Sequence, residues 1–297
     1  MVAINRIVCP VDLSECSRHA LDHAVALAQR HEAYLTVLHV AIPPMRAWLA
    51  GFPGGVAEAP PLELDVDVAD VQRFCGVLPA TAAGPATIEV QYGDPARTIV
   101  RAAAGADLIV MATHGRGGFD RLLMGSVTER VLRTTAVPVL TVPPPLAHLT
   151  PVRYRTILCP VDFSSSSNRG LAYALSLAKE TDAHLILLHV IEGSPDQPSF
   201  GELVHLSVRE YDRFLEGHAR DRLEAAVPES ARAWCRPDAR VVHGKAYKQI
   251  VQVAAEEGAE LIVMGVHGTG ILHPRVFAST TPHVIREAGC PVVTLRS

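Results

Sequence analysis

The N-terminal sequence recurs in the second half of the chain, and this repeat limits the possible fold more than any other feature. Residues 7–40, IVCPVDLSECSRHALDHAVALAQRHEAYLTVLHV, align without a gap with residues 157–190, ILCPVDFSSSSNRGLAYALSLAKETDAHLILLHV, and 16 of these 34 positions are identical. Self-similarity of this kind indicates a duplicated structural unit. We therefore predict two domains of the same fold, residues 1–146 and 152–297, joined by the proline-rich segment VPPPLAHLTPVRY.

Each half alternates short apolar segments with segments of helical periodicity. In the first half the predicted strands are RIVCPVD, YLTVLHV, TIEVQY, DLIVMA and VPVLTV. Short apolar strands that alternate with helices are typical of a parallel sheet covered on both faces. The sequence therefore predicts an α/β fold with two doubly wound domains, each an open five-stranded parallel sheet with helices on both faces. The segment IPPMRAWLAGFPGGVAEAPP, which follows the second strand, is either a lid or a plain insertion.

Composition narrows the functional class. The chain has 297 residues, 48% of them hydrophobic, and a net charge of −4, so no nucleic acid partner is expected. Because no apolar run approaches the roughly 20 residues that span a bilayer, and no secretory signal pattern opens the chain, we expect a cytoplasmic protein without a membrane partner. The six cysteines show no CxxC spacing, which favours free thiols over disulfides or a zinc site.

Ligands of an open parallel sheet bind outside the carboxyl ends of its strands. Asp12 follows the first predicted strand, where it could accept hydrogen bonds from a ligand or cap the next helix, and the sequence leaves both open. His39 and His114 end other strands and could join Asp12 around a metal ion. Histidines that end buried strands are more often hydrogen-bonded neutral groups, so the spacing does not demand a metal.

A glycine-rich segment, MATHGRGGFDRLLMGSVTER at residues 111–130, carries the second candidate feature. Its glycines allow close backbone approach to a phosphate, and free N–H groups at the start of the helix after Gly125 favour an anion. Alternatively, Ser126 and Glu129 form a capping box that satisfies the same N–H groups internally. The sequence alone does not separate these two interpretations.

Several nucleotide-binding motifs are absent. The sequence contains no Gly-x4-Gly-Lys-Ser/Thr loop, and its first half has no lysine. It also lacks Gly-x-Gly-x-x-Gly after a first strand and Gly-x-Ser-x-Gly. A bound triphosphate would therefore depend on backbone amides, hydroxyl groups, a metal ion and an arginine such as Arg116.

These segments resemble the universal stress protein family in its tandem two-domain form. The resemblance covers nearly the whole chain and rests on CPVD-S, LHV, DLIVMATHG, GS-TE-V and VPVLTVP. It implies an adenine nucleotide alpha hydrolase-like fold with strand order 3-2-1-4-5 and a role in the stress response. ATP-binding members carry Gly-x2-Gly-x9-Gly-Ser/Thr, and here Ala112 replaces the first glycine of the first half and Ala278 the third glycine of the second.

Carried over by position, the resemblance implies a site for ATP or another adenine nucleotide. In the family, the aspartate after the first strand and the valine after the second hold adenosine, while the motif holds phosphates that Mg²⁺ or Mn²⁺ often bridges. The implied nucleotide-binding residues are Pro10, Val11, Asp12, Val40, Met111, Gly115, Arg116, Gly125, Ser126 and Val127 in the first half, and Asp162, Val190, Gly265, Gly268 and Ser279 in the second. Because Ala278 falls in the phosphate-facing turn, we expect binding mainly in the first domain.

The resemblance also bears on activity and assembly. No catalytic residue is predicted, and at most slow ATP hydrolysis is expected. The alternative to a nucleotide-binding regulatory protein is a nucleotide-free interaction module of the same fold, which acts by dimerisation or partner binding. Single-domain members pair their last strands between chains, so we expect the two halves to form an intrachain pseudo-dimer, with a homodimer as a further possibility.

Overall fold

We analysed a computed structural model of the chain, which describes residues 3–42, 68–115, 124–144, 154–192, 208–235, 237–266 and 280–296. The predictions for Arg116, Gly268 and Ser279 lie outside these ranges, as does nearly all of the candidate lid. The chain divides into two compact units, here called the first unit (Ala3–Val152) and the second unit (Arg153–Ser297).

The first unit alternates strands and helices as the sequence predicts. Its elements are β1 (Arg6–Val11), α1 (Glu15–His31), β2 (Tyr34–Ala41), α2 (Val68–Cys75), β3 (Thr87–Tyr92), α3 (Pro95–Ala102), β4 (Leu108–Ala112), α4 (Ser126–Thr134) and β5 (Val139–Val142). All strand pairs are parallel, and the order is β3-β2-β1-β4-β5. Helix α1 packs beside α2, and α3 packs beside α4. The predicted α/β fold and its strand order are confirmed.

The second unit repeats this plan. Its elements are β6 (Thr156–Pro160), α5 (Ser165–Thr181), β7 (His184–Ile191), α6 (Val208–Ala226), the short α7 (Glu229–Arg232), β8 (Asp238–His243), α8 (Ala246–Glu256), β9 (Leu261–Val266), α9 (Thr281–Glu287) and β10 (Val292–Arg296). The strands are again parallel, in the order β8-β7-β6-β9-β10. The second unit therefore has the same strand order as the first, with β6 in the place of β1.

The central strands are buried, and polar caps fix where the helices begin. Ile7 in β1 and Ile109 in β4 are at most 1% exposed, and Ile157 and Leu158 in β6 are fully buried. Burying a side chain of this size contributes roughly 1.5–3 kcal/mol, so the sheet is the main source of stability in each unit. Helix α1 begins after Ser14, whose side chain accepts a hydrogen bond from the N–H of Ser17.

The first helix of each unit packs differently against the sheet. In the second unit, a Cβ on Gly170 of α5 would lie 2.8 Å from the backbone nitrogen of Gly265 in β9, and a Cβ on Gly265 would collide with the carbonyl group of Ser166. The first unit has alanine at both equivalent positions, Ala20 and Ala112, and both are buried. Glycine at both positions thus lets α5 approach β9 more closely than side chains would allow.

All six cysteines are free, as the sequence indicates. Burial raises the pKa of Cys159 and of Cys290 to about 12, because the thiolate is poorly solvated there. These thiols therefore stay protonated at neutral pH. Among the residues that the structure describes, no helix is long and apolar enough to cross a bilayer.

Candidate functional site

The first candidate group of residues lies where β1 ends. Pro10 and Val11 are the last two residues of β1, and Asp12 follows them. The Oδ1 atom of Asp12 accepts hydrogen bonds from the backbone N–H and the hydroxyl of Ser14, at 3.1 and 2.5 Å. Ser14, not Asp12, is the N-cap of α1. The interpretation of Asp12 as a helix cap is therefore wrong, since its carboxylate instead anchors the turn that leads into the helix.

This turn has an unusual backbone conformation in both units. Leu13 and its equivalent Phe163 each have a φ of 63°. The left-handed region costs about 1–2 kcal/mol for a residue with a Cβ atom. The same hydrogen bonds hold the second copy, because the Oδ1 atom of Asp162 accepts from the N–H and hydroxyl of Ser164 at 3.0 and 2.5 Å. Strained residues that their surroundings hold in place are typical of binding sites.

Gly115 brings the end of β4 against Asp12. A Cβ on Gly115 would lie 2.5 Å from the Oδ2 atom of Asp12, so any side chain there would have to displace the Asp12 carboxylate. The start of α4 joins them, because a Cβ on Gly125 would lie 3.9 Å from the backbone nitrogen of Gly115. The N–H of Gly125 donates to the carbonyl of Thr113 at 2.8 Å and fastens α4 to the end of β4. Three chain segments thus converge at the carboxyl ends of β1 and β4.

The start of α4 is not closed by its own side chains. Gly125 is the N-cap residue and Ser126 is already the first helical residue, and no side chain makes a capping hydrogen bond there. Glu129 instead lies 3.6 Å from Arg133, one turn further along the helix. The capping-box interpretation is therefore wrong, because the helix begins at Ser126 itself, and Gly125, which has no side chain, occupies the N-cap position. The first N–H groups of α4 lack a capping side chain among the described residues.

Three further candidates of the first unit that the structure describes lie on β2, β4 and α4. They are Val40, Met111 and Val127. Register pairs Val11 of β1 with His39 of β2, so Val40 lies one residue further along, beside Asp12. Met111 is a buried residue of β4, and Val127 lies in the first turn of α4. Sequence reasoning missed Thr128, whose hydroxyl donates to the carbonyl of Ala112 at 2.9 Å and holds that first turn in place. A buried threonine in the first turn of a predicted helix is the signal that could have found it.

The strand-end histidines are hydrogen-bonded. The Nδ1 atom of His39 lies 2.8 Å from the carbonyl oxygen of Val11, which can only accept, so Nδ1 carries the proton. The Nδ1 atom of His114 lies 2.8 Å from the hydroxyl of Thr113, while its buried Nε2 atom has no partner in the described part of the chain. No group of three His, Cys, Asp or Glu side chains among the described residues is placed to hold a metal ion.

The second unit has a cavity of about 110 Å³ at the carboxyl ends of β6, β7 and β9. The predicted residues Asp162, Val190 and Gly265 all line it. The other lining residues among those that the structure describes are Pro160, Val161, Ser167, Leu188, His189, Ala246, Ile250, Met264, Val266, Thr280 and Thr281. The structure therefore brings together the predicted residues of the second unit that it describes.

Gly265 has a packing role that the sequence does not reveal. The space where its side chain would project holds the backbone of Ser166 and Ser167 in the first turn of α5, and its missing Cβ would lie 2.6 Å from the nitrogen of Ser167. The absence of a side chain at Gly265 is thus explained by contact with a helix.

Comparison with known proteins identifies the family. Residues 3–143 and 153–296 each match the sequence model of the universal stress protein family. The chain is 26% identical over 298 residues to a universal stress protein of Mycolicibacterium smegmatis, covering 98% of this chain and 96% of that protein. It is 33% identical over 148 residues to one of Thermus aquaticus, covering 48% of this chain and 99% of that protein.

A solved structure agrees in fold. A universal stress protein from Archaeoglobus fulgidus matches with a TM-score of 0.64 and 23% identity, covering 99% of this chain and 97% of that one. At this identity the match supports the fold only. Together with the two family-model matches and the nearly full-length match to the Mycolicibacterium smegmatis protein, these findings confirm the resemblance found in the sequence: the chain belongs to the universal stress protein family, with two of its domains in tandem.

Proposed function

We propose that this protein is an adenine-nucleotide-binding regulatory protein of the stress response, and that it binds ATP with a divalent cation in its first unit. The observation that carries the proposal is the convergence of Asp12, Gly115 and the start of α4, where no described side chain caps the helix. A carboxylate, a glycine and a helix N-terminus are the groups that the resemblance assigns to adenosine and phosphate.

The chemistry of these groups fits the two ends of the ligand. A carboxylate oxygen accepts hydrogen bonds from ribose hydroxyl groups or an amino group, and the Oδ1 atom of Asp12 is held in place by Ser14. The N–H groups at the start of α4 and the helix dipole favour a phosphate group. Helix α4 has nine residues, and Thr128 and Gly125 both fasten its first turn to the end of β4. These two hydrogen bonds hold the start of α4 in place without a ligand, which supports its proposed role in anion binding.

A divalent cation would enter with the nucleotide. Mg²⁺ is usually bound through substrate phosphates, waters and one or two carboxylates, not by a cage of protein side chains. Its role would be to neutralise phosphate charge, which the first half needs because it contains no lysine. Asp12, whose Oδ2 atom would lie 2.5 Å from a Cβ on Gly115, is a carboxylate at the convergence point that could take part.

Calorimetric titration of the whole chain with ATP and Mg²⁺ tests the proposal. The double variant Gly125→Val/Ser126→Leu places apolar bulk at the start of α4. A Cβ on Gly125 meets only ordinary contacts, 3.4 Å to the carbonyl oxygen of Thr113 and 3.6 Å to the hydroxyl oxygen of Thr128, so the first atom of the new side chain fits without moving the backbone. We expect the wild-type protein to bind and the double variant to lose binding.

The matched control is Glu129→Gln, a change on the exposed side of the same helix that should leave ATP affinity unchanged. Unfolding in urea should show the same stability for the double variant and the wild type. Unchanged ATP affinity in the double variant would show that the site is placed wrongly. No binding by the wild-type protein would instead favour the nucleotide-free interaction module.

A further inference from the structure

A pair of histidines lies on helix α1 of the first unit, outside the residues of the candidate site. His19 and His23 are four residues apart, so their side chains lie on the same face of the helix. Their rings contact each other nearly at right angles, with the centroids 4.8 Å apart. Both residues are half-buried. Neither of them belongs to the motifs on which the proposed function rests.

Each ring carries a buried nitrogen atom that the fold leaves unsatisfied. The Nδ1 atoms of His19 and His23 are both buried and have no hydrogen-bond partner in the described part of the chain. A buried polar atom without a partner costs about 1–3 kcal/mol, and in a native protein it often marks the binding of a water molecule or an ion. By contrast, the Nδ1 atom of the strand histidine His39 donates to a backbone carbonyl. A single ligand between the two rings on α1 would satisfy a nitrogen of each.

The protonation state of the two rings suits a metal ion. Burial lowers the pKa of His19, and burial together with the charge of a protonated His19 lowers the pKa of His23 to about 4. Both rings are therefore neutral at pH 7. A neutral imidazole has an unprotonated nitrogen, and this is the form that binds metal ions. The pair thus offers two nitrogen ligands of the kind that Zn²⁺, Cu²⁺ and Ni²⁺ prefer.

The second unit shows that the fold does not require histidine at these positions. The ungapped repeat aligns His19 with Arg169 and His23 with Tyr173. The side chain of Arg169 donates to the backbone carbonyl of Arg296, and Tyr173 is buried. An arginine side chain has no acceptor atom and cannot bind a metal ion, so the second unit has no equivalent pair. The packing of the shared fold therefore does not explain why the first unit has two histidines here.

We propose that His19 and His23 together bind a divalent transition-metal ion of the Zn²⁺ type, with water completing its coordination. Two imidazoles on one tetrahedral Zn²⁺ ion, with Zn–N bonds of about 2.0–2.1 Å, have ring centroids roughly 5 Å apart. The 4.8 Å between these rings is close to that value. Cys16 lies on the same side of α1, but it is roughly 10 Å from His23 along the helix axis, too far to join both histidines on one ion. The site therefore has two protein ligands, in agreement with the lack of a three-ligand group among the described residues.

The test is calorimetric titration of the full chain with Zn²⁺, without nucleotide and after a chelator has removed bound metal. We expect the wild-type protein to bind Zn²⁺, and His19→Gln and His23→Gln each to weaken binding at least about tenfold. Mg²⁺ prefers oxygen ligands, so its titration should show no difference between these variants and the wild type. Zn²⁺ should also raise the urea midpoint of unfolding of the wild-type protein, and raise it less in either variant. Circular dichroism of the metal-free variants shows whether they fold.

Two control variants separate the pair from other metal ligands. His218→Gln removes an exposed histidine on α6, whose ring stacks on Phe214, and Cys16→Ser removes the thiol nearest in sequence to the pair. Neither change should alter Zn²⁺ affinity. No Zn²⁺ binding by the wild-type protein, unchanged affinity in His19→Gln and His23→Gln, or an equal loss in either control would overturn the inference. The inference is independent of the proposed function, which fails separately if the wild-type protein does not bind ATP with Mg²⁺.

Discussion

Replacing Gly265 with alanine tests whether this glycine is required by helix packing. The new Cβ would collide with the carbonyl group of Ser166 and lie 2.6 Å from the nitrogen of Ser167. Ordinary van der Waals contact begins at 3.4 Å, so the first turn of α5 or the strand β9 must move by at least 0.8 Å. The clashing atoms are backbone atoms, and no rotamer change can relieve the contact.

Overpacking of a well-packed interior costs about 1–3 kcal/mol, and we expect Gly265→Ala to lie at the upper end, near 3 kcal/mol. Equilibrium unfolding in urea, followed by circular dichroism, measures the loss. Gly217→Ala is the control, because Gly217 lies inside α6 and a Cβ there meets nothing within 4 Å. Alanine in a helix interior should stabilise the protein by roughly 0.5–1 kcal/mol.

The reasoning would be refuted if Gly265→Ala cost less than about 0.5 kcal/mol, the usual range for surface substitutions. The helix and strand would then separate readily, and close packing would not explain the glycine. Ala112→Gly in the first unit provides a second check. No backbone contact there requires glycine, and we expect no gain in stability.

Three further predictions follow from the site, the assembly and one buried histidine. Gly115→Ala should displace the Oδ2 atom of Asp12, which would lie 2.5 Å from the new Cβ. Calorimetry should then show ATP binding weakened at least about tenfold. Unchanged affinity would argue against a ligand beside Asp12 and Gly115. The two halves, residues 1–146 and 152–297, should associate at micromolar concentration in sedimentation experiments when they are expressed separately, as an intrachain pseudo-dimer requires. Two stable monomers that do not associate would contradict the pseudo-dimer. Burial lowers the pKa of His23 from 6.5 to about 4, so the unfolded state takes up this proton first and the stability of the fold falls as the pH drops below 6.5. Between pH 7 and pH 5 we expect the wild-type protein to lose about 2 kcal/mol of stability through this group, and His23→Gln should remove that loss. Parallel pH profiles of stability for the two proteins would disprove the prediction.

The fold follows from sequence because its signals are local and repeated. Apolar runs such as LIVMA in β4 are buried on both sides, and this requires helices on both faces. The rule that ligands bind at the carboxyl ends of parallel strands also placed Asp12 and Gly115 together, although they are far apart in the chain.

The details of the site depend on positions that the sequence does not specify. Whether Ser126 is a cap or the first helical residue depends on a shift of one residue, and this shift decides whether the helix start is closed internally. Gly265 looks the same in sequence whether its missing side chain makes room for a ligand or for the backbone of α5.

The number of ATP molecules that the wild-type chain binds tests the central proposal most directly. Calorimetric titration with ATP and Mg²⁺ should give one site per chain, and Gly125→Val/Ser126→Leu should abolish it. Two equivalent sites per chain, or no binding at all, would contradict the proposal that the first unit is the ATP-binding unit.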